Sequence, residues 1–145
     1  MRLKALTALS LLLLAAGTAQ ARDTSHKLKI AEVLAGAEAK VKLDPGIALY
    51  FGPAQHGEIA ASLGEFQSNK KTNAFNKSDE EACRIAFLSA VIALQERARK
   101  EGGNAVVNIT SYYKKNTFAS DSEYECGAGA LMAGVTFKGT VVKLK

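Results

Sequence analysis

The chain has 145 residues, of which 48% are hydrophobic and 23% charged, with a formal net charge of +5, two cysteines and no tryptophan. These proportions predict one globular domain. They exclude a multidomain ATPase, a disordered tail and a polytopic membrane protein.

The chain opens with Arg2 and Lys4, an apolar run over residues 5–16 that includes Leu11, Leu12, Leu13 and Leu14, and a small-residue close at Ala19-Gln20-Ala21. Cations, a short apolar helix and small side chains in that order are the parts of a secretory signal peptide. Cleavage is expected after Ala21, leaving residues 22–145 as a single α+β domain. The apolar run is shorter than the roughly 20 residues of a spanning helix, so no stable membrane anchor is expected after cleavage. The residue directly after the cleavage point is Arg22 and not a cysteine that would carry a lipid, and the expected location is the periplasm. Loss of Arg2 and Lys4 leaves 17 Lys+Arg against 14 Asp+Glu, a net charge of +3. That charge is too mild for nucleic-acid binding, and the basic clusters are only the pairs Lys70, Lys71 and Lys114, Lys115.

Residues 22–43 are weakly patterned: Leu28, Ile30, Val33 and Leu34 suit a brief strand or one helical turn, and residues 35–40 read as a small-residue connector. A loosely packed leading segment is expected. Asp44-Pro45-Gly46 is a turn by its chemistry and leads into a short buried strand over residues 47–51. A second strand is predicted over residues 58–70, with Ile59, Ala61 and Leu63 alternating.

Ser78 followed by Glu81 is a capping box, with Asp79 and Glu80 at the positive end of the helix dipole. Two adjacent apolar stripes follow at helical spacing: Ile85, Ala86, Ser89, Ile92 and Ala93, and Cys83, Phe87, Val91, Leu94 and Ala98. Gly102-Gly103 stops this long helix. Three further strands are predicted over residues 104–113, 122–128 and 133–143, the last with a bulge at Gly139. The expected fold is α+β: a mostly antiparallel sheet of about five strands, one long helix packed on one face, and one disulfide.

In an exported chain, two lone cysteines most economically pair, and Cys83 with Cys126 is the expected disulfide. The alternative is a redox pair or a metal site. There is no CxxC spacing, and His26 and His56 are the only histidines.

Catalytic motifs fail one by one. Gly127-Ala128-Gly129 would place the third glycine of a dinucleotide loop at Met132, so a glycine-rich strand junction is the better reading. No phosphate loop, nucleophile elbow or HExxH occurs, and no metal or other cofactor is expected. Two polar clusters remain, and Lys70, Lys71, Asn73, Tyr112 and Tyr113 are taken from them as a partner-binding surface. Solvated loops are the plainer reading of the same residues.

The helix with Cys83, the stretch Gly102-Gly103-Asn104-Ala105-Val106-Val107 and the late Cys126-Gly127-Ala128-Gly129-Ala130 resemble the YbjQ-like superfamily. They are also similar to the periplasmic domain of the Rcs envelope-stress sensor lipoprotein. The resemblance covers residues 78–143 and implies a disulfide from helix to late strand, in support of Cys83 with Cys126. The chain departs from the lipoprotein in lacking its lipid-attachment cysteine, proline-rich linker and second disulfide. Leu63-Gly64-Glu65-Phe66, Lys70-Lys71-Thr72-Asn73-Ala74-Phe75 and Tyr124-Glu125-Cys126-Gly127-Ala128-Gly129-Ala130 resemble a family of small exported proteobacterial proteins. Some of that family carry the name of an excinuclease ATPase subunit, a chemistry that needs a phosphate loop and far more chain. The resulting expectation is a non-enzymatic periplasmic protein that binds another envelope component, in a stress response. A small-ligand or metal-binding module is the alternative, and a hydrolase ranks third.

Overall fold

A computed structural model describes residues 22–145, so the expected leader, with Ala19 and Ala21, lies outside the described residues. The elements run β1 (Asp23–Lys29), α1 (Ile30–Leu34), α2 (Ala37–Lys42), β2 (Ala48–Phe51), β3 (Ile59–Asn73), α3 (Asp79–Glu101), β4 (Ala105–Ser111), β5 (Glu123–Gly129) and β6 (Met132–Leu144).

The helix α3 forms as its sequence dictates. Ser78 is extended and its hydroxyl accepts from the Glu81 N–H at 3.1 Å, with Asp79, Glu80 and Glu81 filling the first turn. At the other end Gly102 adopts φ 81°, a left-handed conformation that glycine takes without a Cβ clash, and the Gly103 N–H donates to the Ala98 carbonyl at 2.8 Å. Cys83, Phe87, Val91, Leu94 and Ala98 are buried. In the neighbouring stripe only Ala86 is buried, while Ile85, Ser89, Ile92 and Ala93 sit at the rim.

The strand β6 is the spine of the sheet. One of its edges pairs antiparallel with β3 from Asn73↔Met132 to Ile59↔Leu144. Its other edge divides, pairing with β5 at Gly127↔Gly134 and Ala128↔Ala133, then with β4 from Ser111↔Phe137 to Ala105↔Val142. The strand β1 extends the β5 branch antiparallel, and β2 extends the β4 branch parallel. The sheet therefore has six strands and is mixed, which corrects the expectation of about five mostly antiparallel strands.

The corrections have local causes. The sixth strand, β1, lies in the segment expected to be loose; it reads DTSHKLK, so no apolar alternation marks it, and its order comes from pairing along its whole length with β5. Two short helices, α1 and α2, follow it where a single turn and a connector were expected. Between β2 and β4 the chain passes through β3 and α3, a crossover long enough to return it in the same direction. The bulge expected at Gly139 is on β4 instead, where Asn108 takes φ 50° and the register slips between Val107 and Thr110. Gly139 lies opposite that slip, where a Cβ would come within 2.7 Å of Val106 Cγ1.

The core lies between α3 and the sheet. Phe51, Phe87, Tyr124 and Phe137 interlock in it, with Phe87 edge-on to Tyr124 at 4.6 Å and to Phe137 at 5.3 Å between ring centroids. Beside this cluster Cys83 and Cys126 form the disulfide, wholly buried, with Cα atoms 5.9 Å apart. The bond ties α3 to β5, as expected.

Candidate functional site

The face of the sheet away from α3 carries the site, and strand alternation decides which residues reach it. Cys126, Ala128, Ala133 and Val135 face the core and are buried. Their neighbours therefore face outward, and the registers align Ser25, Gly127, Gly134 and Lys71 in one row across four strands. The next row holds Asp23 beside Gly129, and Met132 beside Asn73. Glycines at 127, 129 and 134 leave this part of the outer face without side chains.

The result is a trough of about 360 Å³. Glycines form its floor, and its walls are Arg22, Asp23, Tyr113, Lys71, Leu131 and Met132. Tyr113 lies so close over the floor that a Cβ on Gly127 would sit 1.9 Å from its hydroxyl oxygen. A 3-10 turn over Tyr113–Lys115 presents the ring, with Lys114 and Lys115 both at positive φ. The Tyr113 hydroxyl donates to Asp23 Oδ1 at 3.3 Å, and the Lys114 ammonium pairs with the other oxygen of that carboxylate.

These contacts fix the charge states. Lys114 holds the Asp23 carboxyl below its ordinary range, chiefly through its hydrogen bond. Burial pushes the Tyr113 phenol up, and the Asp23 charge adds to that, so the hydroxyl stays protonated as a donor. At the trough rim Arg22 makes a two-pronged pair with Asp79, at 2.9 and 2.7 Å, and donates to the Gly129 carbonyl at 3.1 Å. Lys71 is exposed, and among the described residues no carboxylate lies within ion-pair distance of it. The trough thus offers a bare backbone floor, a phenol, an uncompensated ammonium and apolar side chains at one end, which suits recognition of another molecule.

Of the residues expected to form a partner surface, Lys71 and Tyr113 line the trough and Asn73 shares its face. Lys70 does not, because it pairs with Val135 and so lies on the helix side of the sheet. Tyr112 is half-buried outside the trough, with the Lys138 ammonium 4.4 Å from its ring centroid. The trough residues that sequence reasoning missed are Arg22, Asp23, the three glycines, Leu131 and Met132. One signal was present: glycines at alternate positions of a strand, as at 127 and 129, clear a stripe on one face.

Both histidines lie apart from the trough lining: His26 Nε2 is 2.7 Å from Asp79 Oδ2, and His56 is exposed beside the Gly57 carbonyl. Among the described residues no three or more His, Cys, Asp or Glu side chains converge as a metal ion would require. A smaller hollow of about 110 Å³, lined by Leu28, Val33, Glu80, Arg84 and Tyr124 among others, contains none of the expected surface residues. No family model matches the chain, and no curated protein matches it.

Proposed function

We propose that this protein is a non-enzymatic, exported domain that binds another component of the bacterial envelope through the trough between Lys71 and Tyr113. The observation that carries this reading is the glycine floor. Side chains are absent at the paired outward positions Gly127 and Gly134 and at Gly129 in the next row; the Tyr113 phenol lies over Gly127, and the unpaired Lys71 ammonium stands beside Gly134. A surface evolved only for solvation has no need of such a concavity, whereas a partner's protruding side chain or strand fills it. The disulfide accords with an oxidising compartment. A role in an envelope stress response follows from the resemblance to the Rcs sensor domain.

A photo-crosslinking residue in place of Tyr113, expressed in cells, tests the reading. The expected result is one dominant envelope-protein adduct that Lys71→Glu abolishes; adducts that are absent, or unchanged by Lys71→Glu, would overturn it. The same trough volume favours a second reading, a small-ligand module, because 360 Å³ falls within the range of small-molecule sites. Calorimetry against a metabolite panel separates the two: heat that Tyr113→Ala removes would establish the small-ligand function.

A further inference from the structure

We infer that the end of the molecule built from residues 73–77 and the β5–β6 hairpin is a reversible docking tip for an anionic lipid surface. Three large apolar side chains project there: Phe75 is 60% exposed, Leu131 64% and Met132 49%. The two loops that carry them are joined, since the Ala74 N–H donates to the Leu131 carbonyl at 2.8 Å and Asn73 pairs with Met132. The Asn73 side chain also accepts from the Phe75 N–H at 2.8 Å, which fixes the turn. The tip is therefore a built feature whose apolar groups have been left outside the core.

Charge identifies what covers it. Lys70 and Lys71 lead into the tip along β3 and Lys77 leaves it, and among the described residues none has a carboxylate within ion-pair distance. Of the carboxylates at this end, Asp23 lines the trough and is matched by Lys114, and Asp79 is matched by Arg22; Glu80 and Glu81 follow in the first turn of α3, with Glu80 lining the hollow beside Leu28 and Arg84 instead of the trough. The tip is apolar at its point and cationic around it, the complement of a bilayer with an acyl interior and anionic headgroups. The tip shares Lys71, Leu131 and Met132 with the trough, but this docking needs no protein partner there and goes beyond that proposal.

The chain has no tryptophan and four tyrosines, so Phe75→Trp and Ile59→Trp each introduce a single indole that is excited selectively on the long-wavelength side of tyrosine absorption. Ile59 is the control because it begins β3, roughly 45 Å along the strand from the tip. The material is the processed, disulfide-bonded protein from the periplasmic fraction, with Arg22 verified as its N-terminus. On phosphatidylglycerol-containing vesicles the Phe75→Trp emission shifts to the blue and is quenched by brominated acyl chains. On phosphatidylcholine alone it does not shift, and Ile59→Trp responds to neither. Combined Phe75→Ser, Leu131→Ser and Met132→Ser lowers partitioning by more than about tenfold with the fold intact. Tyr113→Ala leaves partitioning unchanged, which separates this docking from partner binding in the trough. No shift on anionic vesicles, an equal response from Ile59→Trp, or unchanged partitioning of the triple variant overturns the inference. So does a concentration-dependent dimer in sedimentation velocity that the triple variant abolishes, because the occupant is then a second copy of the chain.

Discussion

Gln95 sits in the C-terminal half of α3 and is 2% exposed, and its side-chain hydrogen bonds all go to the turn before β2. Its Nε2 donates to the carbonyls of Asp44 and Ile47, at 3.0 and 2.8 Å, and its Oε1 accepts from the Asp44 N–H at 3.0 Å. Gln95→Leu keeps the volume but leaves the Asp44 N–H and the Ile47 carbonyl without a partner, while the Asp44 carbonyl keeps only the Ile47 N–H. It should cost about 2–3 kcal/mol in urea unfolding. A cost below about half a kcal/mol would mean that water replaces the amide. At Gly127 a different outcome is expected. An added Cβ collides with the far end of the Tyr113 side chain, which is free to swing outward, so Gly127→Ala should cost at most about 1 kcal/mol while displacing the ring from the trough. The readout is loss of the nuclear Overhauser contact between the Tyr113 ring and β5 with near-normal melting. A severe loss of stability would instead make the ring part of the fold's support.

Among the elements, α3 was legible because its signals are local: a capping serine, a first turn of acids, apolar stripes and a glycine stop lie within one stretch of chain. The strand β1 was illegible for the opposite reason, since its residues are mostly exposed and only the register with β5 orders them. The parallel direction of β2 leaves no trace in its four residues, because direction is decided by the crossover that follows. The trough was half legible. Lys71 and Tyr113 are visible as residue types that bind partners, but their meeting depends on pairings among β1, β5, β6 and β3 that no single segment encodes. The disulfide required only two cysteines, and its consequence can be scaled. The bond spans 43 residues and is fully buried, so Cys83→Ser should lower stability by about 4 kcal/mol in the chain-entropy model. Reduction of the unaltered protein should lower the melting temperature by as much as Cys83→Ser does. Equal melting with and without reductant would show that the loop is already constrained in the unfolded chain.

At the scale of the whole molecule, the divided edge of β6 makes the two branches of the sheet unequal. The β4 branch is held by pairing along most of a strand, whereas β5 meets β6 at only two residue pairs. The β1–β5 branch therefore depends on side links to α3: the disulfide, and the contacts of Arg22 and His26 with Asp79 at the helix start. Arg22 first, and His26 second, hold the Asp79 carboxyl below its ordinary range. A carboxyl with a lowered native pKa binds its proton less readily folded than unfolded, so unfolding takes up protons as the solution is acidified. Its contribution is complete above the unfolded value, near 4, and is lost as pH falls below that toward the native value. Acid should consequently release the β1–β5 branch before the rest of the sheet. Hydrogen exchange near pH 3 is expected to show amides of β1 opening ahead of those in the β6–β4 pairing. Asp79→Asn should bring the same early opening at neutral pH and flatten the acid dependence. Uniform exchange across both branches, or an unchanged acid profile in Asp79→Asn, would mean that the disulfide alone couples the branch to the helix.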